Sequence, residues 1–371
     1  MEEIVKEVSN EMKCHDCGSI LKFAPGTNSL KCEYCGAANE VVSAEKQAAT
    51  VVEEIDFEKF LSDNSSGAAE KQEIHAVKCV SCGATTTLKP NVTSDQCPFC
   101  DTSLVIKNAS ACSIIKPKYV LPFMIDSKKG MAGFKKWVDG LWFAPGDLKK
   151  YADNPEKLAG MYLPYWTYDS DTYSVYTGMR GMNYTTTESY STIENGKSVS
   201  RTRTVTKIRW TPAGGNVNNV FDDVLVIASK SLPEKYINAL EPWDLGNLSG
   251  YDDKFLSGFR TEAYQVDVKS GFDKAKVRMA NEIRNTCKRD IGGDHQQVLT
   301  VNSTYNNITF KHILLPIWIS AYRYNNKVFR FMINGRTGEV QGERPWSVWK
   351  IVGLIAGVIA AGVAAYLIWG Q

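Results

Sequence analysis

Apolar and polar positions along the chain fall into three regimes. Up to about residue 107, short apolar clusters are interrupted by Gly, Asn, Ser and charged residues. This leaves room for short strands and at most one short helix, around Val51 to Leu61, before a Ser/Asn/Gly breaker. From Pro117 the pattern turns to Tyr, Trp, Pro and β-branched residues. A helix is predicted from about Lys128 to Leu141, with Phe134, Trp137, Val138 and Leu141 on one face, and a clearer one from Gly271 to Asp290. The second spaces Phe272, Met279, Ile283 and Cys287 at intervals close to four. "MYLPYWTYDSDTYSVYTG", "RTRTVTKIRWTP" and the segment from Gln297 to Val340 predict strands, with turns at Gly-rich positions, Tyr305 to Asn307, Asn325-Asn326 and Asn334 to Gly338. Leu163-Pro164-Tyr165-Trp166 and Leu315-Pro316-Ile317-Trp318 open two strands with one device, either an internal duplication or a chance echo; Leu121-Pro122-Phe123 is a candidate third copy. Pro confines each to a strand entry or edge.

The third regime is Ile351 to Trp369, nineteen residues without a charge. At 1.5 Å per residue this covers a hydrocarbon core of about 30 Å. Trp346, Trp349, Tyr366 and Trp369 lie near its two edges, where amphipathic rings favour the interface, and Arg344 and Lys350 precede it, so the rest of the chain is expected on the cytoplasmic side. The expectation is a tail-anchored, single-pass protein of the cell membrane. Gly353 with Gly357, and Ala361 with Ala365, are small-residue steps that permit helix pairing and hence a homo-oligomer.

Cysteine usage changes the picture most. Eight of the ten cysteines form two copies of one device, offset by 65 residues: Cys14-x-x-Cys17 and Cys32-x-x-Cys35, then Cys79-x-x-Cys82 and Cys97-x-x-Cys100. The start "MEEIVKEVSN" is acidic and lacks the basic and apolar regions of a secretory signal, so a reducing compartment and metal binding are expected rather than disulfides. A Cys-x-x-Cys turn presents two sulfurs to one ion, and Gly18, Gly36 and Gly83 supply the φ > 0 exit. Two knuckles then close a tetrahedral four-sulfur Zn2+ site. Two structural ions are predicted, one on Cys14, Cys17, Cys32 and Cys35 and one on Cys79, Cys82, Cys97 and Cys100. All four positions of each are filled by sulfur, which leaves none open for catalysis. His15 is read as a solvated neighbour, and Cys112 and Cys287 as small buried hydrophobes.

The fold expected from these signals is α+β with mostly antiparallel β. It comprises zinc ribbon 1 (1–40), an acidic linker (41–72), zinc ribbon 2 (73–107), an α+β Tyr/Trp-rich domain (115–345) and a transmembrane helix (349–369). Residues 1–107 hold ten Lys, no Arg and seventeen Asp or Glu, although the whole chain is +2. Nucleic-acid binding needs cations to replace phosphate counterions, so the ribbons argue against it, and their Phe23, Tyr34 and Phe99 suit a protein partner better. Gly196-Lys197-Ser198 lacks the earlier Gly of a phosphate-cradling loop, and "TIENGKSVS" reads as a hairpin with an Asn-Gly turn. The pairs Asp222-Asp223 and Asp252-Asp253 read as solvated loops. No nucleophile or metal-hydrolase motif is present, so no enzyme activity is expected.

The two ribbons, "GLWFAP" (140–145), "YLPYWTYD" (162–169), "LPIWISAYRYNNKVFRFMINGRTGEVQGERPWS" (315–347) and the apolar end together resemble a bacterial family labelled TFIIB-type zinc-ribbon-containing, also labelled primosomal protein N-prime or replication-restart helicase-like. Helicase activity does not carry over, since the ATP-binding loop is missing. The resemblance implies a membrane-anchored cytoplasmic adaptor that recruits or scaffolds a protein partner, flotillin-like (SPFH) or of the phage-shock type. The alternative is a membrane-tethered nucleic-acid-binding protein of replication or transcription.

Overall fold

A computed structural model describes residues 13–41, 53–65, 71–80, 84–87, 94–97, 99, 102–105, 109–145, 158–194, 197–324 and 327–369. The first Cys-rich stretch folds into three antiparallel strands, β1 (Lys22–Phe23), β2 (Ser29–Lys31) and β3 (Ala38–Glu40). Next, β4 (Ile55–Asp56) leads into α1 (Phe57–Ser65), whose first turn is capped by Asp56 Oδ1 accepting from Lys59 N at 2.7 Å. The second Cys-rich stretch supplies β5 (Lys71–Lys78), β6 (Thr85–Thr87), β7 (Ser94–Gln96), β8 (Ser103–Val105) and β9 (Ala109–Ile115). Of these, β5 pairs with β6 and β9, and β7 with β8, all antiparallel.

The remaining strands are β10 (Tyr119–Val120), β11 (Ala159–Glu194), β12 (Lys197–Ile227), β13 (Ser249–Gly250), β14 (Arg260–Thr261), β15 (His295–Tyr324), β16 (Lys327–Asn334) and β17 (Val340–Gly342). Among the described residues they join β4 in one nine-stranded sheet, with the path β12-β11-β15-β10-β13. Only the short β10–β15 and β11–β14 pairings are parallel, so the fold is α+β with mostly antiparallel sheet. Helices α2 (Ser127–Asp139), α3 (Glu234–Asn238), α4 (Val268–Ile291) and α5 (Val348–Trp369) complete it.

Strand side chains alternate between faces. Tyr162, Trp166 and Tyr168 of β11 share one face with Phe310, Leu314 and Trp318 of β15, and Met161, Leu163 and Tyr165 share the other with Ile313, Leu315 and Ile317. Both faces are buried, which is why these strands read as unbroken Tyr/Trp/Leu runs rather than as apolar–polar alternation. On the first face the first Cys-rich module packs with α2 through Leu21, Phe23, Leu30, Phe134 and Val138, and α1 and α4 pack further along. On the opposite face lie the second Cys-rich module, through Val77 and Phe99, and α3, through Ile237. The two modules therefore sit on opposite sides of one sheet.

Several expectations take a different form here. The stretch from 53 to 65 is more than a spacer: Phe57 is buried against Phe272, 4.9 Å between ring centroids, and Phe60 packs on Phe310 at 5.0 Å. The aromatic spacing of three along α1 docks it to the core. The Gly-rich positions at 178, 181, 214 and 215 do not end strands. They lie inside the β11–β12 ladder, and a Cβ at Gly178 would stand 2.5 Å from the Gln297 carbonyl oxygen. Tyr305 to Asn307 is likewise a bulge within β15, with Asn307 at φ 50°, rather than a turn. Asn334 to Gly338 does turn, between β16 and β17. Asn325 and Asn326, and Asn195 and Gly196, lie outside the described residues.

Beyond Gly181, paired with His295, β15 no longer accompanies β11, and residues 182–194 and 197–210 continue as a two-stranded arm. One face of the arm carries Lys197, Arg201, Arg203, Lys207 and Arg209 with Tyr184 and Tyr190. The other carries Ser198 opposite Ile193, and Ser200, Thr202, Thr204 and Thr206 opposite further Ser and Thr. At the other end of the molecule α5 has a twenty-residue stretch, Val348–Leu367, that is long and apolar enough to cross a membrane, and no residue of its apolar window is buried by the rest of the chain.

Candidate metal centre

The predicted ligands Cys14, Cys17, Cys32 and Cys35 meet. Their sulfurs all lie within 4.8 Å of one another, with Cys14 Sγ 3.4 Å from Cys35 Sγ and Cys17 Sγ 3.5 Å from Cys32 Sγ. Bonds of about 2.3 Å to a tetrahedral Zn2+ separate sulfurs by about 3.8 Å, so this cluster can hold that ion with small adjustment. No other ligand type lies in the set, and the all-sulfur donors suit zinc better than a hard cation.

Local backbone explains why the sulfurs converge. Cys14 N donates to Ser19 O at 2.8 Å and Gly18 N to Cys14 O at 2.9 Å, while Cys32 N donates to Ala37 O at 2.8 Å and Gly36 N to Cys32 O at 3.1 Å. Each knuckle closes with glycine in the left-handed region, Gly18 at φ 71° and Gly36 at φ 80°. The first Cys of each knuckle is buried and the second exposed. Crowded sulfurs also divide their protons unequally. The Ser19 hydroxyl and amide pull the Cys17 thiol down to about 6, whereas at Cys35 the Ala37 amide, which favours the thiolate, is outweighed by the Cys14 and Cys32 thiols, and the group is pushed up to about 12.

In the second module the described residues repeat this backbone device. Cys79 N donates to Ala84 O and Cys97 N to Thr102 O, both at 2.8 Å and both spanning the same five residues, and both sulfur-bearing side chains are buried. Cys82, Cys100 and Gly83 lie outside the described residues.

Docking accounts for where the expected aromatics went. Phe23 is buried against Phe255, 5.3 Å between centroids, and Phe99 is fully buried while its carbonyl accepts from Arg330 Nε at 2.6 Å. Neither is free to grip a partner. Tyr34 is, at 85% exposure, next to the exposed Cys35; Ile20 of the same module and Val80 of the second are exposed as well. Two main-chain bonds and one side-chain bond fasten the first module: Phe23 N donates to Ser257 O at 3.0 Å, Gly26 N to Phe123 O at 2.9 Å and the Ser257 hydroxyl to Leu21 O at 2.5 Å. A cleft of about 400 Å3 remains at the joint, bordered by Lys22, Glu33, Asp126 and Arg260. Cys287 is buried in α4, whereas the Cys112 side chain, on β9, lies outside the described ones.

A polar cluster that sequence reasoning missed lies at the β4–β15 junction. Lys311, 4% exposed, bonds Asp223 at 2.7 Å, Glu54 at 3.2 Å and Asp169 at 3.5 Å. Asp222 lies close enough to Glu54 and Asp169 to form a carboxylate group of the kind that binds cations, and the Lys311 ammonium already pairs with two of its three members, Glu54 and Asp169. Burial and the neighbouring Glu54 carboxylate push Asp169 up to about 6. Asp223 is thus part of an ion network around the buried Lys311 rather than a solvated loop.

The chain is similar to the uncharacterized protein YdjG of Bacillus subtilis (strain 168), 25% identical over 354 residues and covering 93% of each chain. No family profile and no solved structure matches it.

Proposed function

We propose that this protein is a membrane-anchored zinc-ribbon adaptor: two structural Zn2+ ions, on Cys14, Cys17, Cys32 and Cys35 and on Cys79, Cys82, Cys97 and Cys100, fold the ribbons, α5 crosses the bilayer, and the ribbons recruit a protein partner at its cytoplasmic face. The observation that carries this reading is the exposure of Tyr34, next to Cys35 of the four-sulfur cluster, while Leu21, Phe23 and Leu30 on the inner side of that module are buried against the domain. An exposed tyrosine is the residue type that contact hot spots favour. Modules this small depend on metal for their folding energy, so metal and partner binding are coupled.

The partner suggested by the family resemblance is flotillin-like (SPFH) or of the phage-shock type. Detergent-extracted full-length protein should carry two zinc ions and co-purify with such a protein, and Tyr34→Ala should keep the zinc and lose the partner. Zinc-free protein, or undiminished recovery with Tyr34→Ala, refutes the reading.

A second reading, membrane-tethered nucleic-acid binding, is favoured by the cationic face of the β11–β12 arm rather than by the acidic ribbons. There Arg209 lies 5.0 Å from the Tyr184 ring and Arg203 5.7 Å from that of Tyr190, so cations and aromatics interleave as on single-strand binding surfaces, although Glu188 on the same face pairs with Lys207 at 2.7 Å and Arg203 at 3.5 Å. It requires oligonucleotide binding that weakens steeply with salt and with Arg201→Gln/Arg209→Gln.

A further inference from the structure

We propose that the turn Leu141–Ala144, some two hundred residues before α5 in sequence, is a second membrane contact that seats Trp142 at the lipid–water interface; this rests on the reading of α5 as a membrane span. The turn follows α2 and is anchored on its inner side, where Ala144 is buried and Leu141 packs against the core. On its outer side it is latched to the first turn of α5. Ser347 N donates to Phe143 O at 2.7 Å, and Lys350 Nζ donates to Trp142 O at 3.0 Å and to Ala144 O at 2.8 Å.

Held in this way, the turn exposes a large apolar ring for which the fold has no use. Trp142 is 78% exposed, and Trp346 and Trp349 at the foot of α5 are exposed as well. A solvated domain gains nothing from three exposed indoles grouped around one helix end, whereas the interface of a bilayer takes indole more readily than any other side chain.

Depth supports the assignment. The twenty residues of Val348–Leu367 extend about 30 Å, the thickness of the hydrocarbon core, and Lys350, the third of them and the one charge among them, stands at its edge with its ammonium turned back toward the headgroups. The two carbonyls that Lys350 holds therefore bring Trp142 to headgroup level. Arg344, whose guanidinium lies 4.4 Å from the Trp346 ring, adds a cation at the same level. With two attachments the domain is held in one tilt rather than swivelling on α5.

The test uses full-length protein in phosphatidylcholine–phosphatidylglycerol vesicles. Retention after alkaline carbonate washing reads the span. The fluorescence difference between wild type and Trp142→Phe isolates Trp142, and is expected to be quenched by lipids brominated near the headgroup and protected from aqueous iodide, with the protection lost in Lys350→Gln. Carbonate retention with a Trp142 signal open to iodide overturns this proposal and leaves the span intact. Loss of the protein on carbonate washing overturns both. Iodide protection that persists without brominated-lipid quenching, and that falls on dilution of protein among vesicles, assigns the indole to a second copy of the chain and also overturns the proposal.

Discussion

Leu163 stands directly opposite Leu315 on the β11–β15 ladder, the same position of the two Leu-Pro-x-Trp copies. Facing antiparallel strands have a local two-fold axis, and here the surroundings obey it. Trp166 Nε1 donates to Val266 O and Trp318 Nε1 to Ile125 O, both at 2.8 Å. Each carbonyl precedes an aspartate that caps a helix, Asp267 for α4 and Asp126 for α2. Tyr264 flanks Trp166 and Phe123 flanks Trp318, at 5.2 and 4.9 Å between centroids. Phe-x-Ile-Asp-x-Lys-x-Gly (123–130) and Tyr-x-Val-Asp-x-Lys-x-Gly (264–271) are thus one unit twice, and Leu121-Pro122-Phe123 belongs to its helical half rather than to a third strand. The echo is a duplication, with each tryptophan clasping the other half's helix.

Equivalent bonds should have equivalent worth. Trp166→Phe and Trp318→Phe each leave a carbonyl without its donor, and each is expected to lower unfolding free energy by about 1–3 kcal/mol, within error of each other, in urea titrations. A loss confined to one of the two would contradict the duplication's structural equivalence.

The two helix glycines break that equivalence. A Cβ at Gly271 would strike the Tyr168 hydroxyl and stand 2.9 Å from Trp166 Cδ1, whereas at Gly130 the nearest atom is Leu158 Cδ2, at 3.3 Å. Gly271→Ala should therefore cost about 1–3 kcal/mol by overpacking. Gly130→Ala should be close to neutral, because the gain in helix propensity of about 1 kcal/mol offsets a mild contact. Thermal melts of the two variants separate the cases.

Buried Glu262 should make stability fall with pH. It accepts from Ser231 Oγ and from Gln265 Nε2, the latter at 2.9 Å, while its second oxygen has no partner, and burial pushes its carboxyl up to about 7. A raised carboxyl contributes its stability fully below the ordinary value near 4.5 and loses it as pH rises through 7. The loss is at most about 3 kcal/mol. Buried His312 works in the opposite direction: burial holds it at about 4, so its contribution is present above about 6.5 and is lost as pH falls through 4. Urea midpoints in Glu262→Gln should be flatter than wild type between pH 5 and 8, roughly the range over which this group releases its proton.

Removing the cation from the carboxylate cluster should be destabilising. Lys311→Met leaves Glu54, Asp169 and Asp223 without their shared partner, at an expected cost of about 1–3 kcal/mol because water reaches the carboxylates left behind. Acidification should rescue part of it, since protonation of Asp169 and Glu54 removes the repulsion. A melting temperature equal to wild type at neutral pH would show that solvation of the carboxylates, not Lys311, offsets their repulsion.

What the sequence displayed well was whatever is local. The four-sulfur spacing, the stripe Phe272, Met279, Ile283 and Cys287 and the long apolar run depend on neighbours within a few turns, and they appear in the structure where expected among the described residues. What it hid was nonlocal. Glycines at 178 and 214 read as turns because their purpose, letting strands and side chains approach closely, depends on residues far along the chain. Phe23 and Phe99 read as binding residues because nothing beside them in sequence announces Phe255 or Arg330. Glu54 and Lys311 meet only once β4 is added to β15.

In the projecting arm, sidedness is a matter of phase. Lys197, Arg201, Arg203, Lys207 and Arg209 share a face only because each lies an even number of residues from the next along β12. Deleting Thr204 alone would rotate everything distal to it by half a period and send Arg203, Arg201 and Lys197 among the hydroxyls, with no basic residue removed. The asymmetry is stored in counting rather than composition, so one lost codon could erase it while leaving net charge and isoelectric point untouched.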